Sequence, residues 1–219
     1  MISVKYYSKN LINDYLANPC KFSALPLYKE VKQKNKISVI HDDGFNQTQV
    51  QDFTKHQRFF RISHNLENVD IVNVPGYKIM ECNIETDIEK VIQIINKSYE
   101  DIRITVEDVN LMIKDRVFEP SMWIFVVDEN TKKEAALGIC HFDESVFEVE
   151  FDWIQVLPEY RGKGLGSMLV TYLLNNTPKQ AKFATVSGDM DNLSSPEKLY
   201  RRCGFDGNDV WYILREENK

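Results

Sequence analysis

The chain has 219 residues, 43% of them hydrophobic and 27% charged, with a formal charge of -6 and a pI near 5.3. That composition provides for one substantial core and excludes a disordered, collagen-like or disulfide-framework chain. The acidic balance repels phosphate backbones and anionic lipid, so nucleic acid and membrane are poor partners and a cationic substrate fits better.

Residues 1–75 carry weak signals. Met1 to Tyr7 lack the uninterrupted apolar run of a signal peptide, and no stretch of the chain approaches membrane-spanning length, so a cytoplasmic location is expected. A helix around Lys9 to Leu16 and a strand at Ile37 to Ile40 are expected, with Pro19, Pro26 and a lysine-rich stretch from Lys29 to Lys36 between them. Without a repeat or a low-complexity linker, this part is read as an extension packed on a main domain at 76–219.

From Tyr77 the signals alternate. A strand at Tyr77 to Glu81 leads to Thr86 and Glu89, which have capping-box spacing, and then to the stripe Ile88, Val91, Ile92 and Ile95 of an amphipathic helix. Thr105 opens a second helix carrying Val109, Met112 and Ile113. Three strands follow, at Trp123 to Val127, Ala135 to Phe142 and Val146 to Val156, and their short connections imply antiparallel neighbours. A helix from Gly164 to Leu174, a buried strand at Phe183 to Val186, a helix opened by Ser195-Pro196 and stopped at Gly204, and a strand at Val210 to Leu214 complete the series. The order β-α-α-β-β-β-α-β-α-β belongs to an α/β domain, a mixed, largely antiparallel central sheet with helices on both faces.

The turn after the third of those strands carries the chemistry. Pro158 ends the strand, and Arg161-Gly162-Lys163-Gly164-Leu165-Gly166 leads directly into a helix. Glycines let the backbone approach a ligand, the unsatisfied N–H groups of the helix start donate, the helix dipole adds positive potential, and Arg161 adds a charge; anions bind at such a place. A Walker A loop is excluded, because Gly166-Ser167-Met168 lacks its lysine, and the dinucleotide fingerprint is missed because position 167 is serine.

The stretch Val156-Leu157-Pro158-Glu159-Tyr160-Arg161-Gly162-Lys163-Gly164-Leu165-Gly166 resembles the acetyl-CoA signature of the GNAT superfamily of N-acetyltransferases. Leu199-Tyr200-Arg201-Arg202-Cys203-Gly204-Phe205 resembles a second block of that superfamily, so the resemblance spans roughly residues 77–216. It implies acetyl-CoA as cosubstrate, bound by the backbone of Val156 and Leu157 and by Arg161, Gly162, Lys163, Gly164, Leu165, Gly166 and Ser167. It also implies Tyr200 as the general acid beside the sulfur. Many relatives place an asparagine seven residues before that tyrosine; here the position is Leu193, and Asn192, one step earlier, is the candidate pantetheine contact.

For the base, Glu148, Glu150, Asp152, Ile154 and Val156 share one face of an alternating strand. Glu150 is the first candidate, by its place in the resemblance, and Asp152 the second. The competing reading makes these acids a solvated face with Phe147, Val149, Phe151 and Trp153 buried. The four cysteines, Cys20, Cys82, Cys140 and Cys203, form no CxxC pair and no metal-ligand spacing, and His41, His56, His64 and His141 show no paired spacing. No metal is expected, and the histidines read as structural or surface residues.

The expected activity is acetyl transfer to a primary amine, small molecule or peptide, within a ternary complex. The alternative is a non-catalytic acyl-CoA-sensing module regulated by the N-terminal segment. The acceptor is left open, with its pocket expected from Ile84 to Val117 and the extension, and homodimerisation is left open as well.

Overall fold

The computed structural model describes residues 7–30, 38–46, 55–99 and 102–215. Residues 1–6, and the lysine-rich stretch beyond Glu30, lie outside them. Three short helices come first, α1 (Lys9–Ala17), α2 (Pro19–Phe22) and α3 (Leu27–Glu30). Strands β1 (Ser38–His41), β2 (Lys55–His64) and β3 (Tyr77–Glu81) follow, then helices α4 (Ile88–Ser98) and α5 (Val106–Lys114). The rest is β4 (Phe118–Asp128), β5 (Glu134–Asp143), β6 (Glu148–Val156), α6 (Leu165–Asn175), β7 (Phe183–Asp189), α7 (Pro196–Arg202) and β8 (Asp206–Arg215).

All eight strands form one sheet in the order β1-β8-β2-β7-β6-β5-β4-β3, antiparallel except for the pair β6 and β7. Leu165, Met168, Leu169 and Leu173 of α6 pack on one face with Val149, Phe151 and Ile154, joined by Tyr200 of α7. Val91, Ile94 and Ile95 of α4 and Val109 of α5 pack on the other with Leu137, Ile139 and Trp153. The mixed α/β architecture read from the sequence is therefore present.

The N-terminal third departs from a simple extension. β2 lies between β7 and β8, so residues 55–64 are an interior strand of the main sheet, and Phe60 and Ile62 belong to its core. The expected helix and strand of this region are present as α1 and β1. Helices α1 to α3 cover the strand face that carries the acids: Tyr15 reaches Glu148 and Tyr28 reaches Glu150.

Two caps differ from expectation. The Thr86–Glu89 box does not form; Asp87 is the N-cap of α4, and its carboxylate accepts from the Asn83 N–H. A reciprocal box forms instead at Thr105 and Asp108, where α5 starts as expected. Ser195 precedes α7 at φ 48° and makes no side-chain cap bond, leaving Pro196 as the start signal.

Candidate active site

β6 positions everything that follows. It pairs with β7 only from Glu148 to Phe151, so beyond Phe151 the sheet is split. Ala136 lies opposite Val156 while the Leu157 N–H donates to the Ala135 carbonyl at 3.0 Å, which makes Ala136 and Val156 a pair that exchanges no hydrogen bonds. The Val156 N–H and carbonyl therefore point away from β5, into the split. Arg161 Nε donates to that carbonyl at 3.1 Å, which ties the turn to the strand.

The turn then makes the floor of a cleft of about 720 Å³. Gly162 and Gly164 hold φ of +78° and +86°, a region that residues with a Cβ rarely enter. A Cβ on Gly166 would lie 3.0 Å from Leu199, so glycine there lets α6 and α7 approach. Gly164 is the N-cap of α6 and offers no side chain, leaving the first-turn N–H groups of the helix facing the cleft uncapped.

On the opposite face lies a second cavity, of about 460 Å³, whose lining includes Tyr28, Lys29, His141, Asp152 and Trp153. Lys29 Nζ sits 2.8 Å from Glu150 and 2.7 Å from Asp152. The Tyr28 hydroxyl donates to the other Glu150 oxygen, and His141 Nε2 lies 3.1 Å from the other Asp152 oxygen. Burial pushes the Asp152 carboxyl up, but the Lys29 ammonium and the His141 bond outweigh it and hold the group well below the usual carboxylate range. Burial alone would lower Lys29; the two carboxylates carry it above its ordinary value instead. Deeper still, Glu148 is held by Tyr15, Arg61 and Thr185, and burial raises its carboxyl despite Arg61.

Residues of the two hollows are neighbours along β6. Trp153 lines the cavity and Gln155 lines the cleft, roughly 7 Å apart on one strand face. Tyr99 bridges them, edge-on to Trp153 and accepting from Gln155 Nε2 at 2.7 Å.

Residues 120–206 match a family model described as the acetyltransferase (GNAT) domain. That match supports an acyl-transfer function. No curated protein matches the chain's sequence. Among solved structures, a GCN5-related N-acetyltransferase from Sphaerobacter thermophilus superposes with a TM-score of 0.71 at 12% identity, over 82% of this chain and 59% of that one. A tandem GNAT protein from the clavulanic acid biosynthesis pathway gives 0.57 at 14%, over 84% and 64%. This chain thus spans less than two thirds of either, and at these identities the likeness concerns the fold. A functionally unknown conserved protein from Staphylococcus epidermidis gives 0.61 at 10%, over 95% of this chain and 80% of that one, so its fold takes in most of the N-terminal third.

Within the matched stretch, Val156, Arg161, Gly162, Gly164, Leu165, Gly166, Ser167 and Tyr200 all line the cleft. Leu157, Lys163 and Asn192 are not in its lining. Leu157 is buried and its N–H is taken by Ala135. Lys163 Nζ turns to the Tyr77 hydroxyl at 3.1 Å and lies over the Tyr160 ring. Asn192 Oδ1 accepts from the Ser194 N–H and hydroxyl, so it shapes the loop whose Ser194 reaches the cleft. The Tyr200 phenol is pushed well above its ordinary value by burial first, then by Cys140, Tyr99, Cys203 and Asp152.

The shared face expected for the acids is corrected by a bulge. Ile139 pairs with Trp153 but Cys140 pairs with Phe151, so Asp152 is the extra residue. Beyond it the alternation reverses: Ile154 and Val156 join Val149 and Phe151 on the α6 side, and Trp153 joins Glu150 on the other. Nor are the acids a solvated face, since Glu148 is 1% and Glu150 7% exposed. Sequence reading missed Tyr28, Lys29 and His141, which come from segments with no local motif. It also missed Arg202, a second cation on the cleft, although that residue adjoins Tyr200 within the second block.

Proposed function

We propose that the protein is an acetyl-CoA-dependent N-acetyltransferase that acetylates a primary amine. The observation that carries this reading is the split sheet: the free edge of β6 and the uncapped start of α6 meet in one cleft that opens beside a pocket of carboxylates. The residues fit the cosubstrate. Uncapped N–H groups from Leu165 to Ser167, with Arg161 and Arg202, suit its phosphates, and the Val156 N–H faces the place where the pantetheine arm would run.

Bound acetyl-CoA would supply an acetyl thioester. The acceptor amine enters from the carboxylate side, where Asp152, kept anionic, orients it and Glu150 is the first proton acceptor. The depressed value of Asp152 makes it the weaker base of the pair. The amine nitrogen adds to the carbonyl carbon, the carbon–nitrogen bond forms and the carbon–sulfur bond breaks. Tyr200, which stays protonated through neutral pH, gives its proton to the sulfur and regains one from solvent as Glu150 releases the amine's.

Calorimetry with coenzyme A, and thiol release over an amine panel, test the reading. Tyr200→Phe should cost about a hundredfold in kcat with little change in coenzyme A affinity; an equally active variant removes the assigned role. The sensing alternative draws on one observation, the occupation of both carboxylates by Lys29. Normal coenzyme A binding without turnover on any amine would decide for it.

A further inference from the structure

The cavity beneath the acid strand narrows the acceptor. Five apolar or aromatic side chains, Leu25, Tyr28, Met112, Val117 and Trp153, make much of its wall. Leu111 lines it too and is 63% exposed, a large apolar side chain left in water beside the apolar part of the wall. Such an arrangement marks a place where an apolar ligand is covered. Two buried polar atoms on lining residues have no hydrogen-bond partner among the described residues, Trp153 Nε1 and His141 Nδ1. Orphaned buried polar groups are rare, and here both lie behind the wall of one hollow.

The charges point the same way. Lys29 Nζ contacts both Glu150 and Asp152, so the protein's own ammonium already occupies the carboxylates that a polycation would seek. Apart from Asp115, what the further charges of a polyamine or an aminoglycoside would meet is leucine, methionine and tryptophan, where desolvation is unfavourable. An amine on an apolar body meets the opposite conditions. Its body is removed from water against Leu111 and Met112, and its single nitrogen approaches the Asp152 end, beside Gln155 and the cleft.

We infer that this cavity is the acceptor site and that it takes a primary amine carried on a compact apolar body, with Lys29 as the residue that turns polycations away. The inference rests on the acyl-transfer reading above. The amine nitrogen bonds to the acetyl carbonyl carbon as the carbon–sulfur bond breaks; one proton leaves the nitrogen and one reaches the sulfur, giving an acetamide and free coenzyme A.

The test uses the full chain with acetyl-CoA, reading thiol release on phenethylamine, a Phe-Gly-Gly peptide, spermidine and kanamycin. Phenethylamine should exceed spermidine and kanamycin by at least about tenfold in kcat/KM, the scale of burying part of an aromatic body. Lys29→Met should narrow that gap. Leu111→Asp, at an exposed position that does not endanger folding, should lower kcat/KM for phenethylamine roughly tenfold and leave coenzyme A affinity unchanged. A higher rate on the peptide would keep the apolar-amine chemistry and assign its source to a peptide terminus. Spermidine or kanamycin outrunning phenethylamine overturns the inference while acyl transfer stands. Intact coenzyme A binding with no thiol release on any amine defeats the acyl-transfer reading, and this inference with it.

Discussion

In the cleft, one continuous stretch from Ile154 to Ser167 supplies the strand edge, the turn and the helix start. In the cavity on the other face, Tyr28 and Lys29, Leu111 to Val117, His141, and Asp152 with Trp153 arrive from four separate segments. The first site is made largely of backbone, so its geometry follows from where glycine and proline stand. The second is made of side chains whose positions depend on the whole sheet. A site of the first kind is insensitive to most distant substitutions, whereas one of the second kind fails whenever a covering segment is displaced.

Deleting residues 1–64 should break that contrast most severely. It removes the strand between β7 and β8 and uncovers Glu148 and Glu150 together, so loss of soluble, cooperatively unfolding protein is expected in expression and thermal unfolding. A folded remainder that still bound coenzyme A would show the cleft to be independent of the N-terminal strands. Next in size is Arg61→Ala, which leaves the fully buried Glu148 without its cation. A loss of about 3–5 kcal/mol in urea unfolding is expected, the scale for a broken buried pair.

Gly164→Val addresses the backbone-made side. A branched residue at φ +86° is strained by about 1–3 kcal/mol, so coenzyme A affinity by calorimetry should fall roughly tenfold or more, with turnover at saturating cosubstrate less affected. The smallest effect is a pH slope. Because the folded value of Asp152 is depressed, its contribution to stability is present above the ordinary carboxylate value of about 3.9 and is lost as pH falls below it. Asp152→Asn should therefore flatten the pH dependence of urea unfolding below about pH 4 relative to the parent.

The same contrast governs what could be read from the residues. Strand and helix periods gave the order of elements from Tyr77 onward, and the glycine spacing gave the cleft, because both are local. The bulge at Asp152 was invisible: the alternation Glu148, Glu150, Asp152 continues through it in sequence, and only the pairing of Cys140 with Phe151 exposes the extra residue. Lys29 opens the lysine-rich stretch, and nothing nearby in the sequence announces that its ammonium reaches across to β6. β2 was missed for a related reason. Its run Lys55-His56-Gln57-Arg58-Phe59-Phe60-Arg61-Ile62-Ser63-His64 is heavily polar, yet Arg61 is buried with its two terminal nitrogens bonded to Glu148, Tyr15, Thr185 and Ser187. Polar residues hide a core strand when their partners lie far away in the chain.

The place of β2 also bears on how the chain is born. Its partners are β7 and β8, and the first residue of β7, Phe183, follows His64 by more than one hundred residues. At a synthesis rate of about 5–20 residues per second, a nascent β2 waits on the order of ten seconds with Phe60 and Ile62 uncovered. Folding therefore cannot proceed outward from the ribosome strand by strand. The N-terminal strands must be kept from aggregation until the last strand emerges, which makes yield sensitive to translation speed and to holding chaperones.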